Sequence, residues 1–124
     1  MSIIDNKYYL GYEGEKEIQF ITKKRTMILW EGFFDDIMEQ FKPSSNGWSG
    51  LPYYYHLAIG WYDESPWKIS DLKGCLHQFT NLDITNCRFE ESHTILTEIC
   101  GMLSEAIQED NDVWISSNWN VNNE

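Results

Sequence analysis

The sequence predicts a single α+β domain, and three observations carry that expectation. Long segments repeat apolar residues at helical spacing, short segments are dense in aromatic and β-branched residues, and 124 residues suit one core rather than two. Apolar residues make up 42% and aromatic residues 15% of the chain, ample for an interior and unlike a disordered chain. The expected arrangement is one small sheet of about four strands with three helices packed against it, in the order β-β-α-β-α-α-β. No repeat, low-complexity block or interdomain linker divides residues 1–124.

Each element follows from local pattern. Residues 7–11 and 15–22 read as strands around Tyr12-Glu13-Gly14, the second alternating Lys16, Glu17 and Gln19 with Ile18, Phe20 and Ile21. Lys23-Lys24-Arg25 falls in a turn. A helix is expected from about 26 to 41, with Thr26 as N-cap. Its stripe is Trp30, Phe33, Phe34, Ile37, Met38 and Phe41, and Pro43 ends it. PSSNGWSGLP (43–52) reads as a loop, and YYYHLAIGWYD (53–63) as a central, two-sided strand.

Ser65-Pro66 offers an N-cap and a first-turn proline for a helix to about 81, whose apolar face carries Ile69, Leu72, Cys75, Leu76 and Phe79. Residues 83–89 read as irregular. A further helix from about 90 to 109 presents Ile95, Ile99, Met102, Leu103, Ala106 and Ile107, and Gly101 within it suggests close packing. VWISS (113–117) reads as the last strand, and 118–124 as a polar tail open to fraying.

Charge is the strongest global signal. Nine Lys and Arg stand against twenty Asp and Glu, a net charge of −11. Such a surface repels phosphate backbones and anionic membranes and attracts basic partners, though acidity also serves plain solubility. No run of apolar residues is long enough for a membrane span, and the N-terminus lacks a secretory signal pattern. Cys75, Cys87 and Cys100 form no CxxC pair and fit reduced thiols, so the expected location is cytoplasmic.

The chain lacks phosphate-cradling glycine motifs, HExxH and GxSxG. Asp35, Asp36 and Glu39 are expected on the outer side of the first helix. That group suits a basic partner, a divalent cation or acid–base chemistry, or is simply a solvated face. His56, His77 and His93 are widely separated, and on a helix His77 and Cys75 diverge by about 200°, so the spacing supplies no zinc set. No cofactor is implied.

The aromatic residues Trp48, Trp61, Tyr62 and Trp67 are candidate interface anchors, with Asp63 and Glu64 beside them in GWYDESPW. A structural turn whose rings cap the core is the competing reading. Three consecutive tyrosines (53–55) cannot all face one side of a strand.

A compact acidic α+β chain with GWYDESPW after an aromatic segment, then a long helix into DVWIS, resembles the small immunity proteins of bacterial contact-dependent inhibition and related polymorphic toxin systems. The resemblance implies a cytosolic, non-enzymatic protein that binds a cognate toxin domain tightly and blocks its active site or an adjacent surface. Many such toxins are nucleases with basic grooves. No binding residue carries over by motif. The rival expectations are a small metal-dependent hydrolase using the acidic helix, and a regulatory module dimerising through an aromatic patch.

Overall fold

The computed structural model describes residues 3–119. Its elements run β1 (Ile3–Tyr8), β2 (Lys16–Ile21), β3 (Arg25–Trp30), α1 (Glu31–Met38), α2 (Gly50–Leu57), a 3₁₀ turn (Gly60–Tyr62), β4 (Trp67–Lys68), α3 (Leu72–Thr80), α4 (Glu91–Glu109) and β5 (Trp114–Trp119). The class is α+β, with one mixed sheet of five strands and four helices where four strands and three helices were expected.

The strand order is β1-β3-β2-β5-β4. β1 runs parallel to β3, and the other pairs are antiparallel. Register places Leu29 opposite Ile18, and Met27 and Ile115 either side of Phe20, so alternate residues of three strands build one apolar face. Phe33, Phe34, Ile37 and Met38 of α1, Phe79 of α3 and Ile95, Ile99, Met102 and Leu103 of α4 join that face in one core. Each such side chain contributes roughly 1.5–3 kcal/mol by leaving water. The opposite face aligns Ile4, Thr26, Ile21, Trp114 and Lys68 in a row across all five strands.

The chain departs from the sequence-based expectation at several elements. The stretch expected to open the first helix is β3: Met27 and Leu29 are buried while Thr26 and Ile28 are half-exposed, a period of two. Thr26 therefore sits in a strand and caps nothing. The hairpin closes at Thr22–Arg25, where Thr22 Oγ1 accepts the Arg25 N–H at 3.0 Å. The helical period starts only at Glu31.

Residues 53–63, expected as a central strand, are most of α2 followed by the 3₁₀ turn. Pro52 lies in the first turn of α2, where an N–H would lack a helical partner anyway. The helix stops at Ala58, which takes the left-handed conformation with φ 56°. On a helix the three tyrosines diverge in steps of about 100°, leaving Tyr53 exposed and Tyr54 and Tyr55 half-buried.

Ser65-Pro66 does not start a helix; the peptide between them is cis, and β4 follows. Ile69 therefore precedes its helix. The helix begins at Leu72, capped by Asp71, whose Oδ1 accepts the Gly74 N–H at 3.0 Å. Ser65 instead donates to the Trp61 carbonyl at 2.5 Å and accepts the Ser117 N–H at 2.9 Å, fastening the GWYDESPW segment to β5.

At the ends, β1 starts earlier than expected, and Tyr9 to Tyr12 form its exit turn. β5 runs on to Trp119, so Asn118 and Trp119 pair with Glu17 and Lys16 rather than fraying. The rest of the expected tail, 120–124, lies outside the described residues. Gly101 is exposed, with open space where a side chain would stand, so close packing is not its reason.

Candidate functional site

Asp36 is not on the outer side of α1. It is 1% exposed and turned into the core side. Its Oδ1 accepts the Arg88 N–H at 2.9 Å, and its Oδ2 accepts the Phe89 N–H at 3.0 Å and the Ser92 hydroxyl at 2.7 Å. Burial alone would raise its pKa, but these three donors outweigh that and hold it below the usual carboxylate range. Asp36 thus fastens the segment entering α4, and Ser92 in its first turn, to α1. Its role is structural.

Asp35, one position earlier, points elsewhere and heads a half-buried acid–tyrosine cluster. Asp35 Oδ1 accepts the Tyr55 hydroxyl at 2.9 Å, joining α1 to α2. Burial, with help from the Glu39 charge, raises the Asp35 pKa despite that hydrogen bond. Glu31, one turn earlier, is raised by burial and by Asp35. The Tyr55 and Tyr62 hydroxyls are pushed up by burial and then by the Asp35 charge. Lys16, from β2, supplies a cation at 3.8 Å from Glu31 Oε2 and 5.7 Å from the Tyr62 ring centre. Lys16 thus acts on Glu31, Asp35 and the Tyr62 ring, while Glu39 adds a further negative charge beside Asp35, so the cluster favours added positive charge.

The remaining candidates divide. Trp61 is 1% exposed, packs on Phe34 at 5.9 Å, and its buried indole N–H has no hydrogen-bond acceptor among the described residues, so it is core rather than an exposed anchor. Tyr62 joins the acid–tyrosine cluster, and Asp63 and Glu64 are exposed just after it. Trp48 stacks on His56 with ring centres 3.9 Å apart, pinning the 43–49 loop to α2. Trp67 is half-buried against Tyr54 at 4.7 Å and Trp61 at 5.5 Å. The exposed side of α2 adds Tyr53 at 40% and Leu57 at 52% exposure. Asp35, Glu39 and Tyr62 are thus brought together, while Asp36 and Trp61 lie beneath.

Sequence reasoning missed Tyr55, Glu31 and Lys16. The i,i+4 spacing of Asp35 and Glu39 was visible, and Glu31 stands a further four residues before Asp35. The phenols could join them only once 50–57 became a helix.

Among the described residues, no group of three or more His, Cys, Asp or Glu is placed to hold a metal ion, and no helix is long and apolar enough to cross a membrane. Cys75 is buried with its pKa pushed up to about 12 by burial, and Cys87 up to about 11 by the same cause, so neither is primed as a nucleophile. No protein-family model, curated protein or solved structure matches this chain.

Proposed function

We propose that this protein is a stoichiometric inhibitor of the immunity type, which neutralises a toxin domain of basic character by direct binding. The observation that carries the reading is the Glu31–Asp35–Tyr55–Tyr62 cluster. Its carboxylates are half-buried, with raised pKa values, and have Lys16 as cation. A basic partner would complete their neutralisation, and tyrosines beside them suit an interface. The net charge of −11 would steer such a partner from a distance. Tyr53 and Leu57 on α2 and Asp63 and Glu64 after the 3₁₀ turn extend the same surface.

The test is binding to the toxin domain encoded beside this protein's gene, in its catalytically disabled form. The expected result is a one-to-one complex on size exclusion whose association rate falls steeply as salt rises from 50 to 500 mM, roughly tenfold or more. A complex whose rate ignores salt, or no complex with any basic candidate, would remove the reading.

A further inference from the structure

On the other flank of α2 a cleft of about 330 Å³ opens between α2, β4 and α3. Its base is apolar, formed by Leu51, Ile69 and Cys75, all buried. Its aromatic wall is the Tyr54–Trp67 pair, 4.7 Å between ring centres.

Two glycines shape its mouth. A side chain at Gly74 would overlap Asp71 Oδ2, and one at Gly50 would overlap Gln78 Oε1. Each missing side chain therefore makes room for an acceptor oxygen at the cleft. Both residues are held by their other polar atom: Asp71 Oδ1 takes the Gly74 N–H, and Gln78 Nε2 donates to the Ser49 carbonyl at 3.0 Å. Asp71 Oδ2 and Gln78 Oε1 have no hydrogen-bond donor among the described residues. No lysine or arginine lines the cleft.

A site with an apolar base, an aromatic wall, two held acceptors, one of them charged, and no lysine or arginine, His77 being the one basic residue on its lining, is matched by a planar group that is cationic and rich in N–H donors. A guanidinium meets those conditions: it stacks on aromatic rings and forks two parallel N–H bonds. An ammonium is a poorer fit, being compact and strongly hydrated. A carboxylate or phosphate would meet Asp71. We infer that this cleft receives the guanidinium of an arginine side chain presented by the protein partner, stacked on Trp67 and Tyr54 and hydrogen-bonded to Asp71 and Gln78. The source of the arginine rests on the proposed function; the guanidinium selectivity rests on the cleft alone.

The experiment therefore uses the isolated full chain. N-acetyl-arginine methylamide is titrated at constant ionic strength, with N-acetyl-lysine methylamide as comparison. The readouts are the Trp67 indole N–H and Tyr54 ring signals in NMR spectra. Saturable shifts of both are expected with the arginine compound, with affinity for the lysine compound at least about fivefold weaker.

Two variants separate recognition from folding. Asp71→Ser keeps a side chain able to cap α3 but removes the charge, and should weaken arginine binding about tenfold. Gly74→Ala keeps the charge, displaces the carboxylate from its seat, and should weaken binding as well. Equal response to both compounds, or undiminished binding in Asp71→Ser, overturns the inference. Those results leave complex formation with the toxin domain untouched, and failure of that complex leaves the titration standing, so the two readings fail separately.

Discussion

Asp36 and Phe89 stand 53 positions apart in sequence, yet the carboxylate of the first accepts the backbone N–H of the second at 3.0 Å. With the Arg88 N–H and the Ser92 hydroxyl this ties α1 both to the segment that leads into α4 and to the first turn of that helix, whose own N-cap residue Glu90 makes no side-chain capping bond. The packing of α1 beside α4 is thereby tied to one buried charge.

Replacing Asp36 with Ala should cost roughly 3 kcal/mol or more, because two N–H groups and a hydroxyl lose a charged acceptor. Ser92→Ala should cost about 1 kcal/mol. The Asp36 pKa is lowered on folding, so its contribution is present above the ordinary carboxylate pKa and is lost as pH falls through the lowered value. Urea denaturation across pH 2–7 checks both points; wild type should lose stability at the acid end, and Asp36→Asn should lose less.

Two helical glycines should respond oppositely to alanine. A side chain at Gly32 would run into the Trp30 indole, which is stacked on Tyr12 with ring centres 4.3 Å apart. Gly32→Ala should destabilise by about 1–3 kcal/mol, the usual overpacking cost. Gly101→Ala meets open space within α4 and should stabilise by about 0.5–1 kcal/mol from helix propensity. Thermal melts of the two variants decide it, and equal shifts would refute the stacking argument.

Tyr8 anchors the edge strand β1. Its hydroxyl donates to Glu98 Oε2 at 2.6 Å, and burial with that bond pushes its pKa up to about 12. Lys7 and Arg25 reach the same carboxylate at 3.3 and 3.7 Å. Tyr8→Phe should cost about 1–2 kcal/mol. Hydrogen exchange should quicken first at residues 3–8, while α4 stays protected.

Asp35→Asn tests whether the acid–tyrosine cluster serves binding at the expense of stability. The pKa values of Asp35 and Glu31 are raised on folding. For such acids the folded state holds the extra proton, so stability declines as pH rises from the ordinary carboxylate range through the raised values. At pH 7 the ionised pair is a cost, reduced by its partial exposure to water. Asn keeps an acceptor for Tyr55, so Asp35→Asn should leave stability unchanged or raise it by up to about 1 kcal/mol. The same change should slow association with a basic partner severalfold at low salt. Denaturation and stopped-flow mixing read the two effects separately; loss of stability without slower association would mark Asp35 as structural.

The sequence by itself determined the α+β class, the strand at 16–21, the long helix at 91–109 and the last strand, because each carries an unbroken period of its own. It also determined the net negative charge and placed Asp35 and Glu39 one helical turn apart. Tertiary structure decided the rest. Residues 26–29 read as the first turn of the helix whose stripe starts at Trp30, although Met27 and Leu29 share a side only on a strand, and pairing with β2 fixes them there. Three adjacent tyrosines read as a strand until Leu51 and Pro52 found a buried seat and drew 50–57 into a helix. The roles of Asp35 and Asp36 were beyond local reading, since neighbours on one helix point about 100° apart and what each meets comes from chain distant in sequence. One met Tyr55 and the protein surface, the other the backbone leading into α4.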